Sequence, residues 1–442
     1  MQVIETKARL EDRFVHAYEV NEGHALNGRN ERLHGLRQAA IDQFERLGIP
    51  APRAEAYKYT NISKTLRHEY EVHLKADISG VTADDVARLK VPGLDGALVV
   101  LVNGRYVADL SDVTRLPEGV VVTSLQDASE TQTNVFNAHF AQYAPHEKEA
   151  LVALNTAFTK EGVFIYVPRN VVVEQPIQVL NLIHTDRDLF MQPRHLFVAE
   201  QSAQVKIVEV QQALTATKTF ANTVTEVYVA RNANVEVYAL QDNGTTASQV
   251  SALNAYQEAD SHFGVHTHTL SGDVVRNNIS LLPNAENCET HMFGFFLGTG
   301  TTHIDNHTFV DHAMPNCFSN ELYKGVLDDK ATGVFNGKVM VRQDAQKINA
   351  YQSNKAIVLT ETAHMYSKPE LEIYADDVRC SHGATTGQVE PEAVFYLRSR
   401  GLTEHQARKL LLLAFARDVL DNVKVDAFRA YLDDLVSDRL PA

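Results

Sequence analysis

Two side chains near the C-terminal end of the chain could bind a metal. The segment Glu372–Gly387 reads E-I-Y-A-D-D-V-R-C-S-H-G-A-T-T-G and places Cys380 two residues before His382. Residues two apart on an extended chain point to the same side, so a strand here would present sulfur and nitrogen together. The aspartates at 376–377 could kink the strand and reset this phase. Thiolate and imidazole suit iron or zinc, but two ligands do not complete a site.

Other motifs that could carry chemistry fit structural roles better. Gly333–Lys338 (G-V-F-N-G-K) resembles a phosphate-binding loop but has three residues between its glycines, where such a loop has four. His303 and His307 could share a metal on a helix, but T-H-I-D-N-H-T-F-V is typical of a strand, where the two lie far apart. We expect these histidines, and also His266 and His268, to be ordinary strand residues. The sequence has no C-x-x-C and no nucleophile motif, which argues against a self-sufficient enzyme.

The bulk composition limits the class of protein. The chain has 442 residues, too many for one ordinary core, and its net charge of −15 argues against a nucleic-acid partner. The strongest apolar run, Leu410–Phe415, is too short to span a membrane, and Met1–Lys7 lacks the pattern of a secretion signal. The cysteines Cys288, Cys317 and Cys380 are not spaced for pairing, which predicts a reducing compartment, most simply the cytoplasm.

Residues 1–160 predict a helical region that includes a small α/β part. Asn30–Gly48 has apolar residues at helical spacing and ends at a glycine. Ala97–Val102 and Tyr106–Leu110, joined by an Asn-Gly pair, predict a β-hairpin. Ser129–Lys160 returns to helical periodicity. Pro50–Ile62 predicts a helix start and a docking loop, whose tyrosines we expect to pack.

Residues 161–392 predict β structure throughout, with Asn, Gly and Asp between short strands. A sandwich, a barrel and a solenoid all fit that pattern, but polar turn clusters recurring every few tens of residues favour a solenoid. The open ends of a solenoid must be covered to avoid edge pairing, and the flanking helical segments suit that role. The predicted strands are Phe164–Pro168, Pro176–Leu182, Arg194–Ala199, Gln204–Val210, Asn222–Ala230, Asn234–Leu240, Phe263–Leu270 and Val274–Leu281.

Residues 393–442 predict a C-terminal helical domain. Thr403 as N-cap and Gln406 three residues later form a capping-box pattern. The helix that follows is apolar on more than one side, so it needs burial on more than one side. It could pack on the β block and on the last helix, Val425–Val436, or dock another protein, and both can hold. The residues assigned to a docking surface are Thr403, Ala407, Leu410, Leu411, Ala414 and Phe415.

Several segments resemble the SufB/SufD family. The strongest are Lys368–Gly387, which contains R-C-S-H-G-A-T-T-G, and Phe395–Gly401, which reads F-Y-L-R-S-R-G. Arg53–Thr60 (R-A-E-A-Y-K-Y-T) and Phe164–Val171 (F-I-Y-V-P-R-N-V) add weaker support. SufB usually has acidic residues close to the matching histidine, whereas His382 lies between serine and glycine, which favours the SufD branch.

The resemblance implies a mainly β fold, with a right-handed parallel β-helix core between N- and C-terminal helical regions. It also implies an assembly with SufB and the ATPase SufC that builds iron–sulfur clusters, in which SufB pairs through the β-helix and SufC docks on the C-terminal helices. The family's functional histidine and nearby cysteine match His382 and Cys380, which would hold transient iron or a nascent cluster shared with SufB. No cofactor is expected to stay tightly bound to the isolated chain. Tyr57 stands where tryptophan is common in the family.

Three interpretations of function follow from the resemblance and the residues. In the first, ATP hydrolysis by SufC opens the seam with SufB, and His382 then supplies an imidazole to iron, while Cys380 either binds metal or only packs. In the second, the chain is a structural adaptor that positions SufC against SufB without any metal contact. The third, an independent metal-dependent enzyme, needs more clustered ligands than the sequence displays. An exposed β-helix edge could also pair with its own copy and form a homodimer.

Overall fold

The fold is given by a computed structural model, which describes residues 9–22, 26, 30–72, 74 and 77–441. It is mainly β, a solenoid of about seven turns with helical regions towards both ends of the chain. The fold class predicted from the sequence is therefore confirmed. The prediction made for Met1–Lys7 lies outside the described residues. In the part of the chain that the structure describes, no helix is long and apolar enough to cross a membrane.

The N-terminal part combines helices with short strands. Asn30 caps the predicted helix through its side-chain oxygen, which accepts from the Leu33 N–H at 3.1 Å, and Gly48 ends it with a φ of 67°. The predicted hairpin is also present, with its strands antiparallel around Asn103 and Gly104. The helices are α1 (Leu10–Glu22), α2 (Glu31–Leu47), α3 (Ile62–Leu66), α4 (Ala83–Leu89), α5 (Leu125–Thr131), α6 (Thr133–His139) and α7 (Ala150–Phe158). The strands are β1 (Glu71–Val72), β2 (Leu98–Val102), β3 (Arg105–Tyr106) and β4 (Val121–Ser124).

The solenoid is built from two parallel sheets whose strands alternate along the chain. From β8 onwards, even-numbered strands stack in one sheet, called sheet A, and odd-numbered strands stack in the other, sheet B. The strands are β5 (Val163–Val167), β6 (Ile177–Ile183), β7 (Leu189–Met191), β8 (Arg194–Ala199), β9 (Gln204–Ala213), β10 (Thr219–Val229), β11 (Asn234–Asp242), β12 (Ala247–Gln257), β13 (His262–Ser271), β14 (Val274–Pro283), β15 (Glu289–Gly298), β16 (His303–His312), β17 (Phe318–Leu327), β18 (Thr332–Val341), β19 (Ile348–Val358), β20 (His364–Ile373) and β21 (Val378–Gly387).

A left-handed backbone conformation recurs at the corner that leads from sheet A to sheet B. Ser202, Asn232, Asp260, Asn287 and Asn316 follow one another roughly 30 residues apart and have φ between 57° and 62°. Asparagine and aspartate tolerate this region because their short polar side chains hydrogen-bond locally. The polar clusters that the sequence analysis took as turns of a solenoid are therefore its corners.

Helices cover the outer faces of both sheets. Phe14 of α1 and Phe158 of α7 pack with Phe190 and Phe220 on sheet A. On sheet B, Phe428 packs with other residues of the C-terminal helices in one apolar cluster. Those helices are α8 (Pro391–Ser399), α9 (Glu404–Leu420) and α10 (Asp426–Arg439).

The C-terminal helices do not cover the open end of the solenoid, so that prediction is wrong. Helix α9 packs on β15 and β17, which lie on the flank of the solenoid, and on α10. The reason is that sheet B presents apolar side chains outwards on those strands, including Phe293 and Phe295, and these bury the apolar face of α9. Strand β21 is largely exposed, and strand β20 is partly exposed.

A fully buried ion pair ties the N-terminal helical region to sheet A. Arg194 of β8 donates to Glu226 of β10 at 2.7 Å and to Thr156 of α7 at 2.8 Å. Glu226 also accepts from the backbone N–H groups of Ala141 and Tyr143, each at 2.9 Å. Because every charge here is hydrogen-bonded, the pair is tolerable in the interior, but neither partner can be removed alone.

We predict that Arg194→Met destabilises the protein by about 3–5 kcal/mol, because it leaves the Glu226 carboxylate buried without its cation. Urea unfolding followed by circular dichroism measures this change. The control is Arg231→Met, which breaks the exposed Arg231–Asp260 pair and should cost less than about 1 kcal/mol. Equal urea midpoints for Arg194→Met and Arg231→Met would contradict the stabilising role given to the buried Arg194–Glu226 pair.

Candidate functional site at the open end of the solenoid

The solenoid ends in two strands that each have a neighbour on one side only. These are β20 in sheet A and β21 in sheet B, and we call the surface they form the open end. Within the described chain, the outer edges of both strands leave backbone N–H and C=O groups without a strand partner. Such an edge is a template for pairing with another chain.

The two predicted metal ligands lie on the inward-facing side of β21. Cys380 is in register with Ala350 of β19, and His382 is in register with Gln352. Ala350 and Gln352 are buried inside the solenoid, so their neighbours on β21 face the same way. The aspartates at 376–377 precede the strand and do not change its phase. The strand and the shared face predicted from the two-residue spacing are both present.

The two side chains differ in their surroundings. Cys380 is partly buried and packs with a cluster that includes Leu371 and Val378, whereas His382 is exposed. Burial raises the pKa of the Cys380 thiol above its ordinary value. Because the thiolate is the form that binds metal, a metal at Cys380 would have to displace a proton.

A row of polar side chains leads from the interior to His382. Glu321 of β17, Gln352 of β19 and His382 of β21 occupy the same register position in successive turns, and we call them the polar ladder. Gln352 Nε2 donates to Glu321 Oε2 at 2.8 Å, while Gln352 Oε1 has no hydrogen-bond partner among the described residues. A Cβ on Gly337 would lie 2.5 Å from Gln352 Nε2. Gly337 belongs to the Gly333–Lys338 segment that resembles a phosphate-binding loop. Because it has no side chain, it leaves room for the Gln352 amide.

Among the residues that the structure describes, the open end offers one pair of candidate ligands. Among the described residues, no further histidine, cysteine, aspartate or glutamate places a ligand atom close enough to Cys380 and His382 to form a group of three. Cys380 and His382 are therefore the candidate side-chain ligands that the described residues place at the open end.

Helix α9 begins with the predicted capping box. Thr403 Oγ1 accepts from the Gln406 N–H at 3.2 Å, and Gln406 Oε1 accepts from the Thr403 N–H at 2.9 Å. Leu410 is 47% exposed and Ala414 is also exposed. Ala407 is fully buried, so its assignment to a docking surface is wrong. The buried side of α9 serves the chain's own packing, as one of the two interpretations of the sequence proposed.

The other two apolar residues assigned to the docking surface are only partly exposed, and one of them, Phe415, contacts a lysine of sheet B. Leu411 and Phe415 are half-buried on α9. The ammonium of Lys324 on β17 lies 4.3 Å from the centroid of the Phe415 ring and donates to the Phe415 carbonyl at 3.1 Å and to Asp418. Helix α9 is thus held to sheet B by a buried charge.

Two exposed aromatic residues on α8 were not singled out by the sequence analysis. Phe395 is 74% exposed and Tyr396 is 57% exposed. They lie within F-Y-L-R-S-R-G, which supported the family resemblance, but a periodicity argument assigns aromatic residues to a core by default. Exposed aromatic side chains are typical of protein–protein interfaces.

His303 and His307 lie on strand β16, as the sequence predicted, and each has a partner within the protein. His307 Nε2 lies 3.0 Å from Asp305 Oδ1, and His303 Nε2 lies 2.9 Å from Thr60 Oγ1. Arg276 pairs with Asp305 at 2.6 Å, and its guanidinium lies 4.1 Å from the centroid of the Tyr57 ring. This cluster docks the predicted loop onto sheet A, so the aromatic side chain of Tyr57 packs there.

Comparison with known proteins places this architecture in a family. The family model described as SUF system FeS cluster assembly, SufBD core domain, matches residues 182–415, and the model of the SufBD protein N-terminal region matches residues 8–179. The chain belongs to the SufBD family of iron–sulfur cluster assembly proteins.

Individual relatives match along almost their whole length. An iron–sulfur cluster assembly SufBD family protein of Synechocystis is 31% identical, covering 92% of this chain and 91% of the relative. The iron–sulfur cluster assembly protein SufD of Escherichia coli is 28% identical, covering 95% and 96%, and SufD of Bacillus subtilis is 27% identical, covering 91% and 93%. The resemblance to the SufD branch seen in the sequence is confirmed.

We predict that the polar ladder makes stability depend on pH. Burial raises the pKa of Glu321 to about 7, although hydrogen bonds from Thr308 and Gln352 act against it. The folded state therefore holds a proton that the unfolded state releases near pH 4, and this stabilisation is lost as the pH rises through 7. Glu321→Gln cannot ionise, so its stability relative to wild type should rise by about 2–3 kcal/mol between pH 5 and pH 8.

Denaturant unfolding at the two pH values measures the effect. Replacing the exposed Glu361 with glutamine is the matched control and should follow the wild type at both. If the free energies of unfolding of Glu321→Gln and wild type changed equally between the two pH values, the Glu321 carboxyl would titrate normally and the prediction would fail.

Proposed function

We propose that the chain is a non-catalytic scaffold subunit for iron–sulfur cluster assembly, and that His382 supplies an imidazole to iron at a site completed by SufB. The observation that supports this is the exposed imidazole on the inward face of a strand that has no neighbour on one side. Imidazole is a good ligand for iron, and the cluster itself is the cargo of the complex. The relatives named SufD are themselves called iron–sulfur cluster assembly proteins.

The open end suits pairing with a second β-helix. A strand of SufB laid beside β20 or β21 would satisfy backbone groups that the described chain leaves without a strand partner. The same contact would bring ligands of the partner next to Cys380 and His382. A second copy of this chain could use the edge in the same way and form a homodimer when SufB is absent.

Cys380 has a secondary part in this proposal. Its raised pKa keeps the thiol protonated in the isolated chain at neutral pH, so it binds metal only when a cation displaces the proton. Replacement of Cys380 by serine should therefore weaken cluster accumulation less than loss of His382. We propose the cytoplasm as the compartment, because the three cysteines carry free thiols.

We assign the docking of the SufC ATPase to the exposed side of the C-terminal helices. Leu410 and Ala414 on α9, with Phe395 and Tyr396 on α8, are the exposed apolar residues that support this assignment. Aromatic and aliphatic side chains of this kind contribute most of the energy of protein interfaces. Because the opposite side of α9 is buried on sheet B, a partner there would contact the solenoid through the helix.

We predict that His382→Ala abolishes cluster build-up while leaving the complex assembled. The measurement is anaerobic iron and sulfide analysis of the chain co-purified with SufB and SufC. The control His34→Ala removes an exposed imidazole far from the open end in sequence and should leave both quantities unchanged. Normal cluster content in His382→Ala would exclude the ligand role and favour a purely structural adaptor.

We also predict that Leu410→Asp weakens SufC binding by at least about tenfold and spares the pairing with SufB, because it places a charge in an apolar contact. Binding of purified SufC to the complex is the measurement. Val20→Asp, which charges an exposed apolar position on α1, is the control. If SufC bound both variants with wild-type affinity, its docking surface would have to lie elsewhere.

A further inference from the structure

A group of potential metal ligands lies on the outer face of sheet B, away from the open end. Among the described residues, His262, Glu289 and His291 place one ligand atom each within 4.8 Å of one another. His262 is on β13 and is in register with Glu289 on β15, and His291 follows two residues later on the same face. The turn-to-turn register therefore brings together residues that are distant in the sequence.

Within this group, His262 Nδ1 and a Glu289 carboxylate oxygen face each other without a hydrogen bond between them. His291 Nε2 lies 2.7 Å from Glu289 Oε1, which is a hydrogen bond. His262 Nδ1 lies 3.7 Å from Glu289 Oε2, too far for one. The Nε2 of His262 lies 2.8 Å from Glu236 Oε1, and an ionised carboxylate can only accept, so Nε2 carries the hydrogen. In neutral His262, the lone pair of Nδ1 then faces the Glu289 oxygen, an arrangement that a cation between them would stabilise.

The Glu236 carboxylate is hydrogen-bonded to His262 in the way that carboxylates are commonly hydrogen-bonded to metal-bound histidines. Glu236 is buried, and it is held by His266 Nε2 at 3.3 Å and by Lys424 Nζ at 3.3 Å. A Cβ on Gly264 would lie 2.2 Å from Glu236 Oε2, so glycine is required for the carboxylate to reach His262. A histidine that binds metal commonly donates its other ring N–H to a carboxylate, which fixes its tautomer and orientation.

The electrostatics favour the forms of these residues that bind metal. Burial would raise the pKa of Glu236, but hydrogen bonds from His262 and His266 outweigh it and hold that pKa below its usual range. Burial lowers the pKa of His291, and a hydrogen bond from His291 lowers the pKa of Glu289. A neutral imidazole and an ionised carboxylate are the ligand forms that metal binding needs. For His291 to bind a metal through Nε2, the ring hydrogen has to move to Nδ1, which is buried and has no hydrogen-bond partner among the described residues.

We propose that His262, Glu289 and His291 bind a divalent first-row transition metal ion such as Zn²⁺ or Fe²⁺. Two imidazoles and one carboxylate are a common set of protein ligands for these ions, with further positions left for water or another ligand. The site is reachable, since Glu289 is 53% exposed and both histidines are part-exposed. It shares no residue with the open end, so it does not depend on the function proposed for His382.

The test is a titration of the full chain with Zn²⁺ by calorimetry and with Co²⁺ by visible absorption, under reducing conditions. The background is the double variant Cys380→Ser, His382→Ala, which removes the other pair of metal ligands. We expect one ion per chain in that background. Glu289→Gln, a change at an exposed side chain that preserves the fold, should abolish this binding together with the Co²⁺ absorption bands.

Two further variants sharpen the result. Glu236→Gln removes the carboxylate behind His262 and should weaken the affinity by about 10–100-fold without changing the stoichiometry. Replacing the exposed His34 with glutamine is the control and should change nothing. Absence of binding in the double-variant background, or an affinity that Glu289→Gln leaves unchanged, would overturn the proposal.

Discussion

The structure depends on one constraint, which is that each turn of a solenoid satisfies its backbone hydrogen bonds on the turns before and after it. Parallel strands in register do this along both sheets, from β8 to β20 and from β9 to β21. The arrangement is stable for every interior turn and necessarily incomplete for the last one. The exposed edge at the C-terminal end is therefore a direct result of how the core is made.

The same stacking also determines which side chains lie next to one another in successive turns. Polar residues at one register position in successive turns form a row of side chains, and the polar ladder of Glu321, Gln352 and His382 is such a row. Inside the solenoid Gln352 donates a hydrogen bond to Glu321, whereas the last member, His382, faces the open end. His382 thus has the geometry of an interior residue and the accessibility of a surface residue.

Much of this architecture could be predicted from the sequence because its signals are local. The cap at Asn30, the capping box at Thr403 and the two-residue spacing of Cys380 and His382 each depend on neighbours within a few residues. The position of the C-terminal helices could not be predicted, since an apolar face does not specify which surface will cover it. The burial of Ala407 was missed for the same reason.

The ligand group on sheet B was missed for a different reason. His262 and Glu289 become neighbours only through the register of β13 and β15, and a one-residue error in either strand would turn their side chains to opposite faces. The corner residues with left-handed backbone could have supplied that register, because Asp260 and Asn287 mark equivalent points two residues before each. Aligning the turns on these corners would have paired the two ligands.

Strand β17 contacts the C-terminal helices on one face and carries a member of the polar ladder on the other. The Lys324 ammonium is buried and hydrogen-bonded to α9, so separating the helix from the strand would break these hydrogen bonds and expose the apolar side chains packed between them. Three residues before Lys324, and on the opposite face of the same strand, lies Glu321, the first member of the polar ladder. A substitution that shifts β17 would therefore disturb both the packing of the C-terminal helices and the row of side chains that ends at His382.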